Sequence, residues 1–472
     1  MNVALWWIRR DLRLADNPAL AAALEHDAVV PVFVLDPVFG GARYAPTTSK
    51  RLAFMYGGLE SLGRDLVARG SRLLVLEGRP LDVLRDLMSE VGADVIHACE
   101  DFTPYARRRD ATVAAALPLQ LHAGTAVQPV ASIMNRQGKP YTVFTPFYRV
   151  WRALPMPCAN DLHAVPSHIP APTHVPAGMR LPALPTPEAF PPGEAEAQSR
   201  LAEFARAAIG EYPRRRDVLA DAGTSALSPY LRFGMLSARE AAVTALAAAA
   251  AGPLAEGAEG WLRELGWRDF YLGVLHHFPQ VLKGAFNPSL RDIAWREAPD
   301  DLAAWQTGCT GYPIVDACMR QMLATGWMHN RGRMIVASFL AKDLLINWQA
   351  GEAWFMQHLV DGDPAANNGG WQWAAGTGTD AAPYFRIFNP VTQGERFDPE
   401  GVFVRRWVPE LTAVPNRYIH APWTMPAMTA ALCGVEIGRD YPAPIVDRAI
   451  VRERTLAAYQ AARESSPKFS NV

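Results

Sequence analysis

The chain has 472 residues and a mass of 51.7 kDa; half of its residues are hydrophobic, a fifth are charged, and the formal net charge at pH 7 is −1. This balance excludes a disordered chain and, at roughly 150 residues per domain, implies two or three domains. No apolar run reaches the ~18 residues of a membrane span, no signal pattern follows Met1, and the near-neutral charge does not by itself point to nucleic acid.

In chain order, Val3–Ile8, Val29–Leu35, Arg72–Glu77, Asp94–Ala98 and Leu119–His122 read as buried strands. Between them Asn17–Glu25, Ser49–Arg69, Pro80–Val91 and Pro104–Ala116 carry helical spacing, with Leu52, Met55, Tyr56, Leu59, Leu62 and Leu66 on one face. Alternation of this kind predicts a Rossmann-like, doubly wound parallel sheet over residues 1–125. No GxGxxG follows the first strand, so NAD binding is not expected. Residues 153–193 hold 11 prolines and read as an extended stretch within an interdomain linker set at 126–194. From Ala195 the pattern is helical, as in Ser237–Ala251 (Ser N-cap, Glu240 three residues on), Glu259–His277, Tyr312–Thr325 and Asn330–Leu345, which predicts an all-α domain over 195–472.

Composition adds two asymmetries. There are 41 arginines against 5 lysines, which a GC-rich genome explains as well as a need for phosphate-binding forks. Of 14 tryptophans, 11 lie from Trp261 onward, which suggests an aromatic-rich site in the helical half. The five cysteines (Cys99, Cys158, Cys309, Cys318, Cys433) form no CxxC pair, and a cytosolic protein without a thiolate cluster is expected.

Three stretches of the helical half concentrate unusual residues. In Trp261–Tyr271, positions 264, 267, 268 and 271 share a stripe and bring together a carboxylate, an indole, a guanidinium and a phenol; an amphipathic helix with an internal Glu264–Arg268 pair fits the same spacing. In Thr325–Met334, Asn330, Arg333 and Met334 share a face, while His329 is assigned no role. In Asp361–Trp373, two carboxylates, two asparagine amides, a glycine pair and two indoles crowd together without a third metal ligand, so a loop for a planar heteroaromatic fits better than a metal site.

These stretches, with Thr310–Met322, Ala381–Pro390 and the opening Trp6–Asn17, closely resemble the photolyase/cryptochrome family, and most closely microbial class I cyclobutane pyrimidine dimer photolyases. The resemblance runs from residue 3 to about 463 and is weakest in the linker. It implies an α/β antenna domain, a wrapping linker and a helical domain that holds FAD. It also implies that Tyr212, Thr224, Ser225, Ala226, Leu227 and Ser228 hold the phosphates and ribityl chain. Trp261, Glu264, Arg268, Asn330, Arg333, Asp361, Asp363 and Asn367 match the other flavin-lining positions, with Arg333 pairing Asp361 and Asn367 against the central-ring nitrogen.

The implied activity is light-driven repair of pyrimidine dimers in DNA: excited reduced FAD lends an electron, the cyclobutane ring opens and the electron returns. Trp267 and Trp373 match the indoles that pack on the flipped dimer, with Glu264, Asn330 and Met334 beside it. Arg216, Arg331, Arg386 and Gln393 match DNA-facing positions, and Trp371, Trp348 and Trp295 match the chain that photoreduces FAD. Tyr105-Ala106 replaces the Asn-Glu of folate-binding relatives, so a deazaflavin or FMN antenna, or none, is expected ahead of methenyltetrahydrofolate. Arg232 stands where deazaflavin binders carry lysine, and Thr103 replaces an acidic residue of that group. Cryptochrome and six-four photolyase are the rivals. Asn367, a C-terminal tail of only Ser465–Val472 and the Trp327–Met334 motif favour dimer repair. A monomer in the bacterial cytoplasm, with access to the nucleoid and no membrane partner, is expected.

Overall fold

The computed structural model describes residues 2–39 and 49–465; the short tail expected to distinguish a repair enzyme falls, from residue 466 on, outside them. The chain forms two compact units. The first comprises Met1–Pro213, Thr224–Pro279 and Val360–Ala365, and the second Arg214–Gly223, Gln280–Leu359 and Ala366–Val472.

The first unit is built on strands β1 (Val3–Ile8), β2 (Ala28–Leu35), β3 (Leu74–Glu77), β4 (Ala93–Cys99) and β5 (Leu119–His122), crossed by helices α1 (Pro18–Ala23), α2 (Ser49–Val67), α3 (Pro80–Val91) and α4 (Pro104–Ala114). The strands are parallel in the order β3-β2-β1-β4-β5, the doubly wound arrangement expected of continuous apolar strands covered on both faces. β1 is buried along its whole length. α2 buries Phe54, Leu59, Leu62 and Leu66, while Leu52, Met55 and Tyr56 of the predicted stripe stay half-buried; Phe54 packs on Tyr230 and Phe233.

β3 is an edge strand, and the Pro-rich stretch covers it. Met179 N–H donates to the Val75 carbonyl at 2.9 Å, Ile169 N–H to that of Arg69 at 2.9 Å and Val29 N–H to that of Pro170 at 2.7 Å. Gly178 permits this approach, since a Cβ there would lie 3.0 Å from the Val75 backbone. An edge strand capped in this way offers no template for another chain.

The linker also contains a helix that the sequence reading missed, α5 (Phe144–Ala153). Its Phe144, Phe147, Tyr148 and Trp151 recur at helical spacing, a signal that the neighbouring prolines masked. α5 packs on the helix Ala255–His277, which starts four residues before the predicted Glu259. Between them lies Asp269, with no exposed surface. Its Oδ2 accepts from Val127 N–H (3.0 Å), Gln128 N–H (3.1 Å) and Trp151 Nε1 (2.9 Å). Burial pushes this carboxyl up to about 6, opposed by Arg268 and the three donors.

The second unit is all-helical around Pro313–Thr325, whose Ile314, Val315, Cys318, Met319 and Met322 are buried. Asp316 is buried inside this core and accepts from Thr310 N–H (2.7 Å), Thr310 Oγ1 (2.6 Å), Gly311 N–H (3.1 Å) and Tyr441 Oη (2.6 Å). The helix predicted over Asn330–Leu345 is α-helical only to Ser338 and continues as a π-helical turn, Phe339–Asp343.

Removing the Asp269 carboxylate strands three buried donors and takes away the counter-charge 3.7 Å from Arg268. Asp269→Ala should therefore cost about 3–5 kcal/mol of stability in urea unfolding. Asp269→Asn keeps an acceptor for the same donors and should cost clearly less; equal losses would show that the hydrogen bonds are not the anchor.

Candidate functional site

In the first unit the predicted residues fall on three elements. Thr224–Leu227 precede the helix Ser228–Phe233, which Ser228 opens, and Ala226 adopts a left-handed conformation (φ 50°) next to a right-handed Leu227. That succession turns backbone N–H groups into a shallow concavity suited to an anion. Trp261, 3 % exposed, donates through Nε1 to Ser225 Oγ at 3.3 Å, and its ring packs on Phe204, which also meets Tyr212 edge-on. Hydroxyls, a phenol and backbone donors are thus gathered without added cationic bulk.

On the helix Ala255–His277, Glu264, Trp267 and Arg268 are half-buried. Arg268 does not depend on a pair with Glu264: its Nη1 donates to the Thr125 carbonyl (2.7 Å) and its Nη2 to that of Leu231 (3.3 Å). Trp267 stacks on Phe144, with ring centroids 3.6 Å apart and planes 8° from parallel, so the linker helix covers one face of the indole and fixes its orientation. Sequence reasoning did not single out Phe144 as the partner of this indole.

In the segment 360–365, Asp361 is buried and Asp363 is held by two cations, Arg10 and, at 3.6 Å, Arg232. Arg232 also donates to the Gly362 carbonyl at 2.8 Å; burial, with Arg10 beside it, lowers it to about 9. Asp363 thus anchors a structural charge cluster, and Arg232 is committed within it. At the start of α4, Tyr105 Oη donates to Asp36, and Thr103 caps the helix by accepting from Ala106 N–H at 3.3 Å.

The second unit carries the other predicted residues. His329, without an assigned role, is the N-cap of Asn330–Ser338: its Nδ1 accepts from Arg331 N–H at 3.1 Å, and burial keeps it neutral down to about pH 4. That cap presents Asn330 to solvent with Met334 one turn on (Nδ2 to Sδ 3.9 Å), while Arg333 Nε donates to the Met328 carbonyl at 2.8 Å. Arg331 is not a bare cation. Its Nε and Nη2 reach Asp217 at 3.3 and 2.8 Å, and its guanidinium lies 4.3 Å from the Phe397 ring centre. Arg216 and Gln393 are half-buried, and Arg386 is exposed.

Asn367 and its neighbours form a polar network in this helical core. Asn367 Nδ2 donates to the Glu352 backbone carbonyl (3.0 Å), and Asn368 Nδ2 donates to the Glu352 carboxyl (3.0 Å) and the Val281 carbonyl (3.1 Å). Gln372 Nε2 bonds Asn368 Oδ1 and the Val281 carbonyl, both at 3.0 Å. Burial pushes the Glu352 carboxyl up to about 7 against the pull of the Asn368 bond. Trp371 and Trp348 are each 2 % exposed, Trp295 is half-buried, and Trp373 is partly exposed. Gly351 lets the helix Trp348–His358 touch the Trp371 indole, because a Cβ there would fall 2.1 Å from Cη2. Trp348 stands one turn from that point. Among the described residues the Trp371 Nε1 has no hydrogen-bond partner.

Residues 4–171 match the family described as DNA photolyase, and residues 261–461 match the FAD binding domain of DNA photolyase. The chain belongs to the DNA photolyase family. It is 41 % identical to a deoxyribodipyrimidine photo-lyase of Synechococcus over 96 % of each chain. The solved structure of a bacterial class III photolyase from Agrobacterium tumefaciens superposes with a TM-score of 0.92 at 38 % identity over 98 % of both chains. An archaeal photolyase from Sulfolobus tokodaii, solved with two FAD molecules and described as implying a novel light-harvesting cofactor, gives a TM-score of 0.82 at 32 % identity over 97 % of this chain and 100 % of that one. The chain is an enzyme with this family's FAD-binding domain, and its donor set fits the group: the 224–228 concavity suits a pyrophosphate, and the Asn367 amide suits a flavin ring nitrogen.

A carboxyl whose folded pKa lies above its unfolded value near 4.3 binds extra protons in the folded state between those pH values. For Glu352 that contribution is present at pH 5 and lost as pH rises through about 7. Glu352→Gln keeps an acceptor for Asn368 and does not ionise. In urea unfolding it should gain about 1–3 kcal/mol on the wild type at pH 8 relative to pH 5; a difference that does not change with pH would mean Glu352 is not titrating there.

Proposed function

We propose that this chain repairs cyclobutane pyrimidine dimers in DNA, using light and reduced FAD. The observation that carries the reading is the way Asn367 is held. With Nδ2 committed to the Glu352 carbonyl, Oδ1 is left to accept, the polarity required by the protonated central-ring nitrogen of a reduced flavin. Support comes from the near-full-length likeness to deoxyribodipyrimidine photo-lyases. Residues 1–125 serve as the antenna domain, 126–194 as the linker and 195–472 as the FAD-binding and repair domain.

Tyr212, Thr224–Ser228, Trp261, Glu264, Arg268, Asn330, Arg333, Asp361, Asp363 and Asn367 bind FAD. When bound, reduced FAD supplies the light-driven electron that opens the dimer and takes it back. The chain's own residues do the rest. Trp267, fixed by Phe144, offers its other face to an extruded dimer, and Trp373 is the second indole assigned to packing on that dimer. Glu264 and Asn330 hydrogen-bond the thymine edges, with Met334 packing beside them. Arg216, Arg331, Arg386 and Gln393 meet the strand. The burial gradient from Trp371 and Trp348 to half-buried Trp295 suits outward movement of an electron hole. A flavin-type second pigment fits the Tyr105-Ala106 pair better than a folate.

Trp371→Phe should retain FAD, identified by the mass of the pigment released on denaturation, but lose rapid photoreduction of oxidised flavin with an external donor. Chemically prereduced Trp371→Phe should still repair dimer-containing oligonucleotides; failure there with normal lesion binding would overturn the separation of recharging from repair.

Arg331 supplies a second test, because a phosphate must compete with Asp217 for its guanidinium. Asp217→Asn should tighten binding of damaged and undamaged strands alike and steepen the salt slope by about one unit, a gain that Arg331→Ala abolishes. Unchanged binding in titrations at several salt concentrations would remove Arg331 from the DNA-facing set.

A further inference from the structure

Lys342 and Asp343, each 1 % exposed, lie in the π-helical turn that follows Ser338. Turns of this kind depart from α-helical register and recur at functional sites. Lys342 Nζ donates to the backbone carbonyl of Arg386 at 2.8 Å. Arg448 Nε donates to Asp343 Oδ1 at 2.9 Å, and the same guanidinium donates through Nη2 to the Phe388 carbonyl at 2.9 Å. Arg454 Nη2 bonds the Asp343 carbonyl at 2.9 Å, and Thr455 Oγ1 bonds that of Lys342. Asp343 Oδ2 has no hydrogen-bond partner among the described residues. Burial lowers Lys342 to about 8 and raises Asp343 to about 6, so both are charged near neutrality.

As a device for stability this cluster is poor. An apolar pair of similar volume would hold the helices together as well or better, without a half-satisfied buried carboxylate. What apolar side chains do not do is grip carbonyls. The two carbonyls gripped, those of Arg386 and Phe388, flank Ile387 on the segment between the helices Pro364–Ala375 and Pro390–Phe397. That segment carries the exposed Arg386 and a Phe385 that is 60 % exposed. Its backbone bonds to itself are short-range: Arg386 N–H to the Pro383 carbonyl and Ile387 N–H to that of Phe385.

We propose that Lys342, Asp343 and Arg448 are positioning residues that fix the Arg386-bearing loop for contact with the DNA strand. The inference rests on the reading of Arg386 as DNA-facing. In it, Lys342 and Arg448 each clamp one carbonyl, and Asp343 holds Arg448 in place between its own carboxylate and the loop.

The test is titration of the FAD-loaded full chain with dimer-containing single strands at several salt concentrations. Arg386→Ala should weaken binding and flatten the salt slope by about one unit. Lys342→Met and Arg448→Met should each weaken binding about threefold or more with FAD content unchanged, and neither should add to Arg386→Ala when combined with it. A purely structural role would instead give additive losses, which would overturn the proposal. Normal binding by Lys342→Met and Arg448→Met beside a weakened Arg386→Ala would overturn the clamp alone, and an unaffected Arg386→Ala would overturn the reading of Arg386 and the clamp with it. Arg448 has a side chain 21 % exposed, so Arg448→Met decides the matter if Lys342→Met fails to fold.

Discussion

The first unit depends on one buried carboxylate. Asp269 sits in the middle of the helix that presents Trp261, Glu264, Trp267 and Arg268, and it takes hydrogen bonds from Val127, Gln128 and Trp151 across more than a hundred residues of sequence. Helix propensity alone would place that helix but not aim it. Donors brought in by the linker fix its rotation, and α5 then lays Phe144 flat on the Trp267 indole. A stretch that composition marks as a spacer is therefore part of the packing that holds this helix. The arrangement costs stability through burial of charge and yields an indole held in one orientation.

The second unit uses the same physics with different groups. Asp316 ties Thr310, Gly311 and Tyr441 to the central helix through one buried carboxylate. Glu352, Asn368 and Gln372 connect two helices to the Val281 carbonyl and leave Asn367 pinned by its amide nitrogen. Networks of this kind in a low-dielectric interior are expensive unless complete, and they specify one geometry when they are. Around them the indoles of Trp371, Trp348 and Trp305 pack as ordinary core, with Trp371 and Trp305 edge-on at 5.9 Å. Burial of these rings contributes to the stability of the second unit.

Charge is spent unevenly. Arg10 and Arg232 converge on Asp363, Arg331 leans on Asp217 and Phe397, and Arg448 bridges Asp343 and a loop carbonyl. Each of these arginines is a fork that grips a carboxylate or a carbonyl with fixed geometry, which a lysine does less well. Arg386 is exposed, and the buried Lys342 donates to its backbone carbonyl.

The sequence by itself determined the parallel sheet, because runs such as Val3–Ile8 and Ala28–Leu35 are apolar at every position and admit no half-exposed strand. It determined the helical character of the second half through 3.6-residue spacing and caps such as Ser237. The motifs around Trp261, Asn330 and Asn367 identified the family, because their residue types and order are specific. Only the tertiary structure decided that Phe144 backs Trp267, that Glu352 holds Asn367, that Asp217 holds Arg331, and that Lys342 reaches Arg386. Each of these joins residues far apart in the chain, and a buried charge is recognised by what surrounds it. Periodicity reports which face of an element is covered; it holds no record of the group on the other side.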